Sequence, residues 1–286
     1  MIKKIAVIND LSGFGRCSLT AAIPVLSAMG IQACPLPTAI LTAQTGYPSY
    51  YCDSYTEKMD YFRVEWEKMQ VHFAGIYTGF VSEEKQLIKI FDFLDTFHHQ
   101  DAFLLVDPVM GDDGAVYGMY NEKLREHMKN LVYQADYTTP NLTELCLLTD
   151  NDFHKLPPKD DSQGLLDIIT IMGKSLCEKG TGNVIVTGIH FIDSSGQPKI
   201  GNVSITSNSY YVTTQSDLGA SYSGTGDLFA SVLTGGIARG DTVEESMEKA
   251  VHFLQKGLKD SITEQVPLND GINFEKYLSI LVNKEE

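Results

Sequence analysis

Apolar and polar positions fall into alternating blocks along most of the chain, and each block has the period of a strand or of a helix. Short continuous apolar runs such as 103–106 predict strands buried on both faces. The predicted strands are 4–8, 31–40, 71–77, 103–106 and 183–188. The predicted helices are 18–29, 55–69, 82–99, 119–134, 168–178, 226–239, 243–262 and 273–283. This alternation indicates an α/β fold in which βα units form a mainly parallel sheet.

Two segments carry more specific expectations. Alternation and a Ser-Ser-Gly turn within 190–214 predict antiparallel strands that close one edge of the sheet. Helix 82–99 is predicted to start at Ser82 as its N-cap. Its buried face is predicted to consist of Leu87, Ile88, Phe91, Leu94 and Phe97.

Composition narrows the classes of function. The 286 residues include 22 Lys and Arg against 37 Asp and Glu, a net charge of −15, which argues against a nucleic-acid binder. An anionic small substrate would need a local cation, for which Mg²⁺ is suited. No apolar run approaches the roughly 20 residues that cross a bilayer, so no membrane role is expected. Five unpaired cysteines predict reduced thiols and a cytoplasmic protein.

A glycine-rich stretch, residues 220–231, is the main candidate for chemistry. Gly224 and Gly226 precede helical periodicity, so free backbone N–H groups and the positive end of a helix dipole would favour an anion there. Asp227 would repel that anion unless it has a proton to accept, which suggests a general base for phosphoryl transfer. The alternative is an ordinary turn at the start of a helix, with Asp227 complementing the dipole.

Polar residues at other predicted strand ends support the first interpretation. Asp107 and Asp112 follow strand 103–106, Asn141 and Glu144 follow residues 136–139, and Thr187 ends strand 183–188. The carboxyl ends of parallel strands share one edge of a sheet, where ligands bind. These groups are therefore expected to converge on a nucleotide and its metal. Asn141 or Thr143 is also a candidate cap for the helix that follows.

Competing motifs have weaker support. Gly173-Lys174-Ser175 resembles the end of a P-loop but lies within a helical pattern. The segment 13–18 resembles a dinucleotide-binding fingerprint, so a Rossmann-type nicotinamide oxidoreductase stays open. It lacks the acid that should hold the ribose, because no Asp or Glu lies between Asp10 and Asp53. The histidines without an evident partner in the sequence, read as core or surface residues, are His72, His98, His99 and His190.

Three motifs in order resemble the ribokinase superfamily and, within it, the pyridoxal kinases. They are Gly224-Thr225-Gly226-Asp227, Asp107-Pro108-Val109-Met110-Gly111 and Thr139-Pro140-Asn141-Leu142-Thr143-Glu144. The resemblance implies one ribokinase-like domain over 1–286, a three-layer sandwich with a mainly parallel central sheet flanked by helices. It also implies ATP-dependent phosphorylation of the hydroxymethyl group of pyridoxal, pyridoxine or pyridoxamine, with Mg²⁺, with a monovalent cation such as K⁺ as a further option, and a homodimer.

The same resemblance assigns roles to individual residues. Asp227 would be the general base, and the N–H groups around Gly224, Thr225 and Gly226 would hold the transferred phosphoryl group. Asp107 and Glu144 would serve the metal and phosphates, with Asp112, Asn141 and Thr187 as further ATP contacts and the loop after Gly111 as a flap. The residues expected to line the vitamin site are Asp10, Ser12, Thr45, Tyr47 and Phe80.

One segment departs from the pyridoxal kinase pattern. The first strand is followed by Asn9-Asp10-Leu11-Ser12-Gly13-Phe14-Gly15, which is more similar to hydroxymethylpyrimidine kinases of thiamine synthesis. Many of those enzymes carry cysteine where this chain has Asp227. Three hypotheses from different classes therefore stay open at this point: a vitamin kinase with either ring system as substrate, an oxidoreductase, and a non-catalytic vitamin-binding protein.

Overall fold

The computed structural model describes residues 2–99 and 101–282. It is α/β throughout, with a large, mostly parallel sheet flanked by helices, which confirms the predicted fold class. Backbone contacts divide the chain into two compact units. The first unit comprises the residues up to 103 together with those from 218 onward, and the second comprises 104–217. The single domain over 1–286 stays a prediction.

The elements follow one another in an order close to the predicted one. The strands are β1 Lys4–Ser12, β2 Gln32–Leu41, β3 Cys52–Ser54, β4 Gly75–Thr78, β5 Phe103–Val106, β6 Gly111–Asp112, β7 Ala115–Val116, β8 Tyr137–Thr138, β9 Asn183–Ile192, β10 Pro198–Ile205 and β11 Tyr210–Ser216. The helices are α1 Ser18–Ala28, α2 Thr56–Lys68, α3 Glu84–Phe97, α4 Glu122–Val132, α5 Leu142–Leu148, α6 Ser162–Glu178, α7 Thr225–Arg239 and α8 Val243–Thr263. Short 3₁₀ helices span Phe153–Lys155, Leu268–Asp270 and Glu275–Ile280.

In the first unit, strand β1 lies at the centre of its part of the sheet. It pairs in parallel with β2 on one side and with β4 on the other, and β3 adds an antiparallel edge next to β2. Residues 5–8 of β1 have no exposed surface, as expected for a strand covered on both faces. The strand continues past residue 8 to Ser12, because it keeps pairing with β2 as far as Leu41.

Helix α3 corrects two of the expectations. Ser82 is not its cap, because the N-cap is Glu83 and no side chain caps the helix. The buried face includes Ile90 and Phe93 in place of Ile88 and Phe91, because Ile88 is 47% exposed and Phe91 is only partly buried. Phe93 takes part in a cluster of rings with Trp66, Phe73 and Phe97, and this tertiary packing sets the rotation of the helix.

In the second unit, β5, β8 and β9 are parallel neighbours, and β9, β10 and β11 continue as an antiparallel meander. The predicted antiparallel edge within 190–214 is thus confirmed. Strands β6 and β7 form a separate two-stranded hairpin in the predicted flap. The tripeptide Gly173-Lys174-Ser175 lies inside helix α6, so it does not form a P-loop.

The C-terminal region differs from its prediction. The expected helix 273–283 is a short 3₁₀ helix, Glu275–Ile280, and residue 283 lies outside the described residues. All five cysteines are free, in agreement with reduced thiols. Within 2–99 and 101–282, no helix has the length and apolarity that spanning a membrane requires.

Candidate active site

The glycine-rich stretch leads into helix α7, and Gly224 is its N-cap. Gly224 has a φ of +80°, a left-handed conformation that a side chain disfavours. A Cβ atom there would lie 2.0 Å from the backbone oxygen of Arg16, so the turn requires glycine for an approach to the protein itself. Gly226 differs, because a Cβ at this position would face open space. Its missing side chain leaves room for a ligand beside the first turn of α7.

Asp227 lies in that first turn. Its carboxylate is held by Asn9 of strand β1 and by Ser18, the first residue of helix α1. The side-chain amide of Asn9 donates a hydrogen bond to Asp227 Oδ1 over 3.2 Å, and the backbone N–H of Ser18 donates a second one. Asn9 is itself fixed, because its Oδ1 accepts from the backbone N–H groups of Asp10 and Phe80. Ser18 has a φ of +49°, which is strained for a serine. The carboxylate therefore has a defined position.

Burial raises the pKa of Asp227 from its ordinary value of 3.8 to about 6. The negative charge of Asp10 adds to this rise, and the hydrogen bonds from Ser18 and Asn9 oppose it. A carboxylate with a pKa near 6 is a stronger base than an exposed one and is still ionised at neutral pH. These properties match the general base predicted from the sequence.

Asp10 and Ser12, predicted as vitamin contacts, lie in the same network and are almost fully buried. Ser12 donates to Asp10 Oδ2 over 2.7 Å, and the Ser18 side chain also bonds to Asp10. Burial raises the pKa of Asp10, while these hydroxyl donors lower it. The negative charge of Asp10 thus helps to raise the pKa of Asp227. Direct contact of Asp10 and Ser12 with a substrate stays a prediction.

The loop at 44–47 carries two further predicted contacts. Thr45 is exposed, and Tyr47 is half-buried with its ring edge-on to Phe14 at a centroid distance of 5.6 Å. The Tyr47 hydroxyl donates to Asp270 Oδ1 over 2.5 Å. Burial and this bond raise the pKa of Tyr47 to about 12, so the residue offers a ring face and a neutral, engaged hydroxyl. Phe80 is partly exposed after β4.

In the second unit, two of the predicted phosphate residues, Asp107 and Glu144, have buried carboxyl groups. Asp107 follows β5 and accepts from the Thr139 hydroxyl over 3.0 Å. Glu144 accepts from the backbone N–H groups of Met110 and Asn141, at 3.0 and 2.8 Å. Burial raises the pKa of Glu144 well above its ordinary value, and the charge of Asp107 adds to the shift. Two carboxyl groups that repel each other in a buried position favour a bound cation.

The flap hairpin is fastened to the start of helix α5, where Asn141 is the cap and forms a capping box with Glu144. The Asn141 side chain also donates to the backbone oxygen of Gly111 over 2.8 Å. The Thr143 hydroxyl accepts from the backbone N–H of Gly114, also at 2.8 Å. The predicted cap at Asn141 is confirmed. Both polar groups of this side chain already have protein partners, and its contact with a nucleotide stays a prediction.

Thr187 and Asp112 complete the predicted nucleotide residues. Thr187 pairs with Asn141 as an isolated parallel bridge, so the two strand ends lie side by side. Asp112 is exposed on the flap, and partial removal of its carboxyl group from water raises its pKa above the ordinary value. His190 bonds to Asp217 through Nδ1 at 2.7 Å. This partner of His190 was not evident from the sequence, where the residue was interpreted as a core or surface histidine.

Asp107 and Glu144 are the predicted metal ligands. Over the described ranges, no group of three or more His, Cys, Asp or Glu side chains is arranged to hold a metal. Mg²⁺ usually keeps several waters and binds one or two carboxylates together with substrate phosphates. A mutually repelling carboxyl pair fits that mode of binding, in which the protein supplies few ligands.

Comparison with known proteins identifies the family. The sequence model of the phosphomethylpyrimidine kinases matches residues 15–272, which is most of the chain. The chain belongs to the phosphomethylpyrimidine kinase family. It is therefore a kinase, and the resemblance to the ribokinase superfamily and its pyridoxal kinases is confirmed.

Individual relatives of this phosphomethylpyrimidine kinase family member carry two kinds of assignment. A Bacteroides thetaiotaomicron protein assigned as a phosphomethylpyrimidine kinase, crystallised with pyridoxal, is 35% identical with a TM-score of 0.90 and covers 98% of this chain and 96% of its own. Pyridoxal kinase from Lactobacillus plantarum is 26% identical with a TM-score of 0.86, covering 98% and 97%. The pyridoxine/pyridoxal/pyridoxamine kinase of Bordetella avium is 26% identical over 86% of this chain and 81% of its own.

Several residues of the candidate site were missed by sequence reasoning. Asn9 and Ser18 hold Asp227, and Thr139 holds Asp107, but none of the three was predicted to do so. Asn9 follows the predicted strand 4–8, which is a usable signal for a polar residue near a site, and Thr139 lies in one of the three motifs that resemble the ribokinase superfamily. Ser18 gave no such signal, because its contribution comes from a backbone N–H in an unusual conformation.

Proposed function

We propose that this chain phosphorylates the hydroxymethyl group of pyridoxal, pyridoxine or pyridoxamine with ATP. Asp227 takes the proton of the substrate alcohol, the alcohol oxygen forms a bond to the γ-phosphorus, and the bond from that phosphorus to ADP breaks. The observation that carries the proposal is the Asp227 carboxyl group with its pKa of about 6, held in the open first turn of α7. A base beside an anion-binding helix terminus suits this reaction.

The free N–H groups of residues 224–226 would stabilise the charge of the transferred phosphoryl group. Each such donor contributes on the order of 3 kcal/mol when it is aimed at charge that develops in the transition state. Gly226 leaves open space at this point, and Thr225 is drawn back because its hydroxyl donates to the Tyr222 backbone oxygen. The turn thus offers backbone donors without side chains in front of them.

Asp107 and Glu144 would hold Mg²⁺ for the phosphates of ATP, and Asp112, Asn141 and Thr187 would contact the nucleotide. Bound Mg²⁺ supplies positive charge that offsets the negative charge of the phosphates. The raised pKa of Glu144 and the charge of Asp107 beside it support this assignment. Asn141 and Thr143 would keep the flap in position over the nucleotide.

On the substrate side, Thr45, Tyr47 and Phe80 would line the vitamin site, with Asp10 and Ser12 behind it. The pyridoxal in the crystals of the 35% identical Bacteroides protein supports a pyridine ring as substrate. A second candidate is phosphorylation of hydroxymethylpyrimidine or its phosphate. The family description and the segment from Asn9 to Gly15 favour this alternative.

A panel of candidate alcohols distinguishes these functions. Purified protein is mixed with ATP and Mg²⁺ and with pyridoxal, pyridoxine, pyridoxamine or hydroxymethylpyrimidine, and ADP release is measured. Faster turnover of the three pyridines supports the proposal, and faster turnover of the pyrimidine supports the alternative. ADP release that does not depend on any alcohol would refute both.

The cellular setting is a further proposal. Five free cysteines support a reducing compartment such as the cytoplasm. The homodimer and the monovalent cation rest on the resemblance to the pyridoxal kinases.

A further inference from the structure

The 3₁₀ helix Leu268–Asp270 makes contacts that the proposed mechanism does not use. Its backbone oxygens accept from two segments of the candidate site: the Leu268 oxygen from the N–H of Ser223, and the Asp270 oxygen from the N–H of Arg16, each over 3.1 Å. Ser223 immediately precedes the N-cap of α7, and Arg16 precedes α1. The 3₁₀ helix therefore contacts the two segments that lead into the Asp227 network.

Asn269 extends these contacts to the loop at 44–47. Its side-chain amide donates to the backbone oxygen of Gly46 over 2.8 Å, and its Oδ1 accepts from the Ser223 hydroxyl at 3.4 Å. One side chain thus bonds to the loop predicted to contact the vitamin and to the turn predicted to hold the phosphoryl group. The two bonds use different atoms of the amide, so they can be separated by mutation.

The buried amide of Gln44 closes the arrangement. Its Nε2 donates to the Ser223 hydroxyl over 3.2 Å and to the Asn269 backbone oxygen over 3.1 Å. Its Oε1 accepts from the N–H of Gly46 over 2.6 Å. A buried amide whose donors and acceptor are all engaged fixes one conformation of its surroundings.

Glycines show how closely these segments approach each other. A Cβ atom on Gly46 would lie 2.8 Å from Asn269 Oδ1, and one on Gly15 would lie 2.7 Å from the Gln44 side chain. Gly271 has a φ of +79°, and a Cβ atom added to it would likewise contact Arg16 and the Ser223 oxygen. The segments are therefore packed as well as hydrogen-bonded. Tyr47 adds a bond to Asp270 at the same place.

We propose that Asn269 is a positioning residue that holds the 44–47 loop in register with the phosphate turn at 223–226. The proposal rests on the function proposed above and deepens it. By fixing both segments, Asn269 keeps the alcohol of the substrate aligned with the phosphoryl group and with Asp227. A small loss of alignment lowers turnover strongly, because phosphoryl transfer depends mainly on positioning.

Two substitutions separate the contacts. Asn269→Asp keeps the acceptor for Ser223 but removes the donor to Gly46, and Asn269→Ala removes both. We expect the KM for the alcohol to rise roughly 3- to 10-fold in both variants, as for the loss of one or two hydrogen bonds, with the KM for ATP unchanged. The value of kcat should fall more in Asn269→Ala than in Asn269→Asp, because alanine keeps neither bond. Asn151→Ala is the matched control, because Asn151 is exposed and its side-chain amide donates to Thr149.

Hydrogen exchange gives a readout that does not depend on activity. Loss of the bond from Asn269 to the Gly46 oxygen should loosen the 44–47 loop, so the N–H of Gly46, which donates to Gln44 Oε1, should exchange at least several-fold faster in both variants, while the N–H groups of β4 keep their wild-type rates. A merely structural role would instead change exchange broadly or raise both KM values together, and this outcome would overturn the proposal, as would unchanged exchange and KM. Failure of the function itself is distinct, because the wild type would then phosphorylate none of the alcohols in the panel.

Discussion

Replacing Asp227 by asparagine should remove activity and at the same time stabilise the protein at neutral pH. Asparagine keeps the size of the side chain and can still accept a hydrogen bond, but it cannot take a proton. As general base catalysis typically contributes 10²- to 10⁴-fold, kcat should fall by about that factor. In the wild type, kcat/KM should rise with pH through about 6, because Asp227 must be ionised to act.

The effect on stability follows from the same pKa. The pKa of Asp227 is 3.8 ordinarily and about 6 in the folded protein, so the folded state binds more protons than the unfolded state between these values. Stability is therefore lost as pH rises through about 6. A shift of about 2 units corresponds to about 3 kcal/mol. Asp227→Asn has no such loss, so from pH 4 to pH 8 the difference in free energy of unfolding between the variant and the wild type should shift by about 2–3 kcal/mol in favour of the variant.

Urea denaturation at pH 4, 6 and 8 measures this difference, with Asp95→Asn as a control on the exposed side of α3. Hydrogen bonds altered by the substitution affect every pH equally, so the pH-dependent part isolates the charge. A difference between wild type and variant that stays constant from pH 4 to pH 8 would refute the burial argument. Full activity of the variant would refute the role of the carboxylate as base.

Three further predictions concern the turn and the metal. Gly224→Ala should lower stability by about 1–3 kcal/mol in thermal or urea unfolding, because residue 224 has a positive φ and lies close to Arg16. Gly226→Ala should leave stability intact and lower kcat. Equal stability of the two variants would contradict this prediction. Treatment with EDTA should abolish turnover and added Mg²⁺ should restore it, so metal-independent turnover would be inconsistent with the proposal. Glu144→Gln should raise the Mg²⁺ concentration for half-maximal activity, and an unchanged Mg²⁺ titration would exclude Glu144 as a metal-site residue.

Much of the fold could be predicted because its signals are local. The buried strand β5 was predicted with its observed bounds, 103–106, since a short apolar run between turn signals has few other interpretations. Helix α3 shows the limit of this approach. Two sets of apolar positions, one with Ile88 and one with Phe93, both fit a helical period, and only the ring cluster around Phe93 decides between them.

The candidate site was predictable in its residue types but not in its connections. Asp227 and Glu144 stand out in the sequence because each lies in a polar motif that contains glycine or proline. The bond from Asn9 to Asp227 joins residues 218 positions apart, and no local pattern reports such a contact. The position of Gly224 was predicted, but its main structural reason, the approach to Arg16, depends on tertiary packing.

In the proposed reaction, this kinase transfers phosphate from ATP to a hydroxymethyl group with Asp227 as the base. The most direct test is mass spectrometry of the product formed from pyridoxal and ATP by the wild type and by Asp227→Asn in parallel. The proposed mechanism predicts that the wild type forms a phosphate ester at the hydroxymethyl oxygen and that the variant forms it at least about 100-fold more slowly. ATP consumption without that ester, or equal rates for the two proteins, would contradict it.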